Sequence, residues 1–463
     1  MRIFFANLLW FLSTLPDTFR FVLALRDPAK AQAAVARRRK PTRESDILLY
    51  EPTSGSTGGT KWIPYTAQLR REFMRAVNPW MASLYLRHPG LLLGTHYWSI
   101  SPYTEVRRPP DGKRCGFAED REYLGPIRCL LTRVLFPVPA AVAEVRDPDQ
   151  HTRQTLTALL ESRRLGLISI WHPSALLRLL EFATLHAEEV TTGEQVQRLK
   201  ERRYDELWPH LRIISCWDAA FARTDAERLR QLFPKVEVEG KGLLATEGVV
   251  TFPWFGQRVA AVTSHTLIFE RVDSVTGEPI AGAGIGPECL KVGERYGVAL
   301  TTGNGFTDYR LGDVVACVGH VGRVPRLEFL YRSGGTVDLH GEKLHPAFVA
   351  ESLDALSAAY GKYRFAVLYP RHDRLGYRLL WEAETGDAIP DPEAADAELK
   401  KNFHYAHARA LGQLAQVEIV PVEKALQVWC GIMGIPESSA KIPTLYRPVS
   451  DAIWRRLDER MGG

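Results

Sequence analysis

At 463 residues the chain is too long for one simple core, and two or three domains are expected. Its 45% apolar and 24% charged residues are those of an ordinary globular protein. A net charge of +5 suits an anionic substrate, is too small for this length to argue for nucleic acid, and leaves one strong basic cluster, Arg37-Arg38-Arg39-Lys40, which reads as a solvated helix end. Six scattered cysteines (Cys115, Cys129, Cys216, Cys289, Cys317, Cys430) form no Cys-x-x-Cys pair. They read as core residues or free thiols in a reducing compartment rather than a disulfide framework.

The N-terminus is apolar through Ile3, Phe4, Phe5, Leu8, Leu9, Trp10, Phe11 and Leu12. A signal peptide would need a basic flank and a small-x-small cleavage site, and only Arg2 precedes the run. The run is too short to span a bilayer, so no transmembrane segment is expected. It reads as a helix docked on the main domain of a cytoplasmic protein, with interfacial membrane contact as the alternative. Residues 1–40 read as helices, and another helix follows Pro64 through Leu69, Phe73, Val77 and Met81. Helix at Leu156 to Arg163, strand at Leu165 to Trp171, a helix opened by Pro173, strand at Leu211 to Trp217, helix at Asp225 to Phe233 and strand at Val236 to Val238 follow. Such alternation predicts an α/β fold with a mainly parallel sheet.

The pattern then becomes strand-rich. Val259 to Val272, Tyr296 to Thr302, Val314 to Val318 and Leu327 to Tyr331 predict an antiparallel, barrel-like part. After Gly334-Gly335 come a helix at Pro346 to Leu356, strands at Phe365 to Tyr369 and Tyr377 to Glu382, a helix at Ala394 to Leu411 and a strand at Val417 to Val420. The division expected is a large domain over 1–333, a hinge at 334–338 and a small α/β domain over 339–463.

Five segments carry chemistry. Thr53 to Lys61 packs three glycines (Gly55, Gly58, Gly59), five hydroxyls including Ser54, Ser56, Thr57 and Thr60, and Lys61 between apolar runs. Glycines let successive N–H groups turn toward an anion, and hydroxyls and a lysine add donors and charge. The segment lacks the Gly-Lys-Ser/Thr ending of the common nucleotide loop, and its bland reading is a flexible linker. Gly240-Lys241-Gly242 leads to Thr246-Glu247, where a threonine can donate to a phosphate and a glutamate is a hard-oxygen ligand for Mg2+, unless this is a plain turn with a surface carboxylate. Tyr309-Arg310-Leu311-Gly312-Asp313 places a carboxylate at an expected strand start, where it can accept from ribose hydroxyls. Arg332 offers a fork-shaped cation before the hinge. Lys441, in Ser438-Ser439-Ala440-Lys441, can neutralise charge developing on phosphate and carboxylate oxygens.

In this order the segments resemble the adenylate-forming superfamily. More specifically, the chain resembles the auxin-responsive Gretchen-Hagen acyl acid-amido synthetase family and its bacterial relatives. The residues carrying this are Tyr50 to Tyr65, Tyr97 to Pro102, Leu167 to Leu180, Leu207 to Trp217, Lys241 to Val250 and Leu339 to Leu344. Ile214 to Trp217 and Gly242 to Val250 look most like a bacterial branch associated with phenazine tailoring, hence with secondary metabolism. The chain departs from the wider superfamily in two places. Leu243 and Leu244 stand where an aromatic usually stacks on adenine, and Ile442-Pro443-Thr444, not a basic residue, follows Lys441.

The resemblance implies a magnesium-dependent, AMP-forming ligase. It would activate a carboxylic acid with ATP as its acyl-adenylate and pass the acyl group to an amine. Lys441, Thr246 and Glu247 would be catalytic, with Glu247 holding Mg2+. Residues 54–61, Gly240, Lys241, Gly242, Thr246, Asp313 and Arg332 would bind the nucleotide. An acyl-CoA ligase and a nucleotide-binding pseudo-enzyme are the alternatives. Tyr97, Trp98, Trp171, Trp217 and Phe221 are candidates for lining an aromatic acid pocket.

Overall fold

A computed structural model describes residues 1–53, 61–99, 126–145, 147–219, 222–272, 279, 280, 282, 284–333, 335, 337, 339, 340, 342, 344–373, 375–435, 437, 440, 442–447, 453, 455–457 and 459. The expected docked helix is α1 (Arg2–Ala24), which buries Asn7, Trp10, Thr14, Thr18 and Phe21, spaced three or four apart so that they share one face. The buried Asn7 amide donates to the carbonyls of Leu91 and Gly94 at 3.0 and 2.9 Å, and Tyr85 donates to its oxygen at 2.8 Å. A second helix, α2 (Pro28–Arg38), is capped by Asp27, whose carboxylate accepts from Lys30 N–H at 2.9 Å.

Strands β1 (Ile47–Thr53) and β2 (Lys61–Thr66) form an antiparallel hairpin with Thr53 opposite Lys61. Residues 54–60, the expected phosphate loop, lie outside the described residues. Thr66 ends β2 and caps α3 (Ala67–Arg87), its hydroxyl accepting from Leu69 N–H at 3.0 Å.

The alternating part follows in chain order: β3 (Thr95–Trp98), α4 (Pro126–Leu135), α5 (Pro148–Glu161), β4 (Leu165–Ser169), α6 (Pro173–Leu185), α7 (Ala187–Val190), α8 (Glu194–Lys200), β5 (Ile213–Cys216), α9 (Arg223–Leu232) and β6 (Glu237–Gly240). The four strands pair in parallel in the order β3-β4-β5-β6. Both faces of this sheet are covered. Leu167 and Ile213 enter one hydrophobic core while Ile168 and Ile214 enter another, which explains why the strands read as unbroken apolar runs.

A small hairpin, β7 (Leu244–Ala245) and β8 (Gly248–Val249), leads into β9 (Thr251–Trp254), β10 (Gln257–Ala260), β11 (Thr266–Arg271), β12 (Arg295–Thr301), β13 (Tyr309–Val321) and β14 (Val324–Arg332). These last six form an antiparallel sheet in the order β11-β12-β13-β14-β10-β9. This is the antiparallel part expected beside the parallel sheet, and among the described residues it is open, with β11 and β9 at its edges. One expected strand changes. The stretch from Val259 to Val272 is two strands, because the chain turns at Val262 to His265 and Gln32 binds that turn through the carbonyls of Val262 and His265.

Beyond Arg332 come α10 (Pro346–Tyr360), β15 (Tyr363–Pro370), β16 (Tyr377–Ala383), α11 (Pro392–Leu399), α12 (Phe403–Ala410), β17 (Glu418–Pro421) and α13 (Ala425–Met433). They enclose a core around Leu353, Leu368, Trp381 and Tyr405, with β15 antiparallel and β17 parallel to the central β16. The single helix expected over Ala394 to Leu411 is broken at Lys400 to Asn402. There the Asn402 carbonyl oxygen of the side chain accepts from Tyr405 N–H at 3.0 Å and starts a new helix.

Candidate active site

The carboxyl ends of parallel strands are where open α/β sheets bind ligands. Here those ends present Trp98, Ser169, Ser215 and Glu239, in register across the sheet, with Cys216 and Gly240 paired one residue further on. The chain continues from β4 to Trp171, from β5 to Trp217 and from β6 to Lys241. Backbone bonds extend the alignment, Trp217 N–H donating to Trp171 and Lys241 N–H to Cys216. The Trp171 and Trp217 rings lie 5.7 Å apart.

Lys241 is the polar centre of this edge. It is 9% exposed, and its ammonium donates to the Ser169 hydroxyl at 2.5 Å. The same nitrogen lies 5.2 Å from the Trp171 ring and 5.5 Å from the Trp80 ring. A cation so enclosed is held by aromatic faces as well as by the hydroxyl. Trp80 is fixed in turn, its indole N–H donating to the Glu239 carboxylate at 2.8 Å, and Arg87 pairs with that carboxylate. Trp80, Ser169, Glu239 and Arg87 were not identified as site residues by sequence reasoning. The one signal is Ser169, a hydroxyl at the end of an otherwise apolar strand.

The glycines flanking Lys241 have distinct causes. A Cβ on Gly240 would run into the Asp218 carboxylate, which Arg258 holds at 2.7 Å. Gly242 has φ +85°, and a Cβ there would lie 2.6 Å from the Thr251 carbonyl oxygen. The chain therefore turns tightly into the β7–β8 hairpin, whose two-residue tip is Thr246-Glu247.

Glu247 is 8% exposed and makes no hydrogen bond among the described residues, so it is not the surface carboxylate of a plain turn. Gly248 packs closely on His265 and Leu300, which seats the tip against β12. Burial brings the His265 pKa down to about 3, so this contact is with a neutral ring. Leu243 and Leu244 pack partly buried against the larger core.

Asp313 lies inside β13, not at a strand start. The chain resumes pairing with β12 at Tyr309, opposite Leu300, four residues earlier than expected. Asp313 is 9% exposed and stands opposite Arg332, whose Nε is 3.8 Å from the carboxylate and whose Nη2 donates to the Leu311 carbonyl at 3.0 Å. Arg310 is committed elsewhere, gripping Glu270 through both Nε and Nη2.

The structure thus brings Lys241 to Ser169 and the tryptophans, and Asp313 to Arg332. Lys61 opens β2, beyond residues 54–60. Phe221 and Lys441 lie outside the described residues. Tyr97 turns away from the tryptophan edge into the core beside Ile168 and Ile214, as strand alternation requires. Trp98 joins a cluster with Trp10, Trp80 and Phe136. Among the described residues no group of three or more His, Cys, Asp or Glu could hold a metal. A lone buried carboxylate still fits Mg2+, which binds through one or two carboxylates plus substrate phosphates.

Residues 43–193 match the GH3 family N-terminal domain, and residues 263–332 match the GH3 family central domain. The chain resembles the GH3 family over these two segments. A probable indole-3-acetic acid-amido synthetase GH3.11 of Oryza sativa subsp. japonica is 25% identical over 317 residues, which is 58% of this chain and 51% of the relative. The chain thus matches about half the length of that relative. Two solved structures share the fold at 14% identity. One is the GH3.15 acyl acid amido synthetase, with a TM-score of 0.71 over 89% of this chain and 81% of that chain. The other is AtGH3.15 acyl acid amido synthetase in complex with 2,4-DB, with a TM-score of 0.72 over 90% and 82%. No helix among the described residues is long and apolar enough to cross a membrane.

Proposed function

We propose that this protein is an ATP-dependent, AMP-forming ligase of the GH3 kind that joins a carboxylic acid to an amine. The observation that carries the reading is the buried Glu247 at the tip of the β7–β8 hairpin, with Lys241 at the carboxyl edge of the parallel sheet on the other side of Gly242. In the first step a carboxylate oxygen attacks the α-phosphorus of ATP, the bond to the bridging oxygen breaks and pyrophosphate leaves. In the second the amine attacks the acyl carbon, AMP leaves and the amine loses a proton.

Residues 54–61 would cradle the phosphates with Thr246, while Asp313 and Arg332 would bind ribose and phosphate. Mg2+, held by Glu247 and phosphate oxygens, would neutralise polyphosphate charge. Gly240 and Gly242 let the backbone reach the nucleotide. The paired Trp171 and Trp217 rings support an aromatic or otherwise hydrophobic acid. The small unit over 339–463 would turn about residues 334–338 and bring Lys441 to the acyl-phosphate bond. The acceptor is an amine rather than CoA, and the setting is cytoplasmic secondary metabolism; the family resemblance supports both. The test is carboxylate-dependent AMP release, screened over acids with amines and CoA competing. Amide without thioester supports the reading, and ADP in place of AMP contradicts it.

A further inference from the structure

The basic run expected to be a solvated helix end does not stand alone in the fold. Arg38, Arg39 and Lys40, at the end of α2, line one cleft with Arg71 and Arg75 of α3. The cleft contains about 350 Å3 of empty space, part of it open solvent. Among the described residues, none of these five side chains makes an ion pair or a hydrogen bond. Elsewhere in the chain arginines are routinely committed, as Arg310 is to Glu270 and Arg409 to Asp396.

Glu72 is the one carboxylate in the lining, and it is already occupied. It accepts from Gly303 N–H at 2.8 Å and from the Gln68 amide at 3.1 Å. Burial pushes its pKa up, against the pull of Arg75 and Arg39. Burial also lowers the Arg75 pKa, and Arg20 and Arg38 push the same way against Asp17 and Glu72. The amino end of α3 begins at Ala67, so Gln68 and Arg71 lie in its first two turns, where the helix adds partial positive charge. Arg38, Arg39, Lys40 and Arg71 are exposed and Arg75 is half-buried, and like charges gathered on one cleft raise a positive potential that an anion relieves.

The cleft is also set off from Lys61, the described residue that follows the expected phosphate loop. Strand β2 runs from Lys61, at the loop, to Thr66, where α3 starts, a rise of about 17 Å at roughly 3.3 Å per residue. We propose that this cleft is a second polyanion site, for a phosphate ester or polyphosphate carrying two or more negative charges.

The probe is inorganic tripolyphosphate, titrated calorimetrically into the full chain carrying Lys61→Ala so that the phosphate loop contributes little. One equivalent should bind, and adding Arg38→Gln, Arg39→Gln and Arg71→Gln should weaken binding at least tenfold and flatten its dependence on salt. Without ligand the added substitutions should not lower the melting temperature, because they remove repulsion, whereas a structural role would lower it. ATP is the second arm. Binding of ATP as tight as tripolyphosphate assigns a nucleotide, and tripolyphosphate alone assigns a ligand without a base. Failure of Lys61→Ala protein to bind either probe, or unchanged affinity after the three further substitutions, overturns the proposal. Pyrophosphate exchange reads the adenylation step separately, so either reading can fail without the other.

Discussion

The Lys241 ammonium donates to the Ser169 hydroxyl at 2.5 Å and so ties the end of β6 to the end of β4 across β5. Trp171 and Trp80 lie beside the same cation. A charge placed at this edge can attract an anionic group of a substrate. Lys241→Met keeps the apolar stem and removes the charge. It should leave folding intact and lower kcat/KM for the acid about ten- to a hundredfold, as expected for one charge-assisted contact. Acid-dependent pyrophosphate exchange checks this, and an unchanged kcat/KM would return Lys241 to a structural role.

Glu247→Gln keeps the shape of the hairpin tip and removes its anionic oxygen. Activity should fall, and the Mg2+ concentration for half-maximal activity should rise by about tenfold or more, since hard cations prefer charged oxygen ligands. A variant with the parental Mg2+ titration would separate Glu247 from the metal.

Buried histidines set an acid limit. Burial lowers His265 to about 3 and His96 to about 4, whereas both take up protons near pH 6.5 in an unfolded chain. Stability from the neutral rings is complete above about pH 6.5 and is lost as pH falls from there toward 4, with each ring worth on the order of 1–2 kcal/mol by pH 5. Raised carboxylates such as Glu72 and Glu239 oppose this. Unfolding of the parent and His265→Gln at pH 7 and pH 5 isolates one ring. The loss between the two pH values should be smaller in the variant, and identical losses would refute the linkage.

The role proposed for Lys441 can be tested apart from the rest of the site. Lys441→Ala should slow acyl-adenylate formation a hundredfold or more, on the scale of losing one electrostatic donor. Preformed acyl-adenylate should still transfer its acyl group to the amine. Rapid-quench measurement of each half-reaction decides, and equal losses in both would put the cation elsewhere.

What the sequence revealed follows from distance along the chain. The parallel strands were legible because burial on both faces leaves unbroken apolar runs, as at Leu165 to Trp171 and Leu211 to Trp217. The Thr246-Glu247 segment was legible as a motif, but not its burial, which depends on His265 from the turn before β11 and Leu300 of β12. The company of Lys241 was hidden for the same reason: Ser169 is 72 residues away, and Trp80 comes from α3, far earlier in the chain. Asn402 was a readable cap signal, yet the helical texture on both sides masked it. The convergence of Arg38 to Lys40 with Arg71 and Arg75 required the packing of α2 beside α3, which no local pattern encodes.

The most direct test of the central claim is ATP–pyrophosphate exchange driven by a carboxylic acid, in the parent and in Lys61→Ala and Thr57→Ala. The account predicts exchange in the parent only when acid is present. It also predicts a loss in each variant of about thirty- to a hundredfold, equivalent to roughly 2–3 kcal/mol for a charge-assisted contact to phosphate. Exchange independent of acid, or parental rates in both variants, would contradict it.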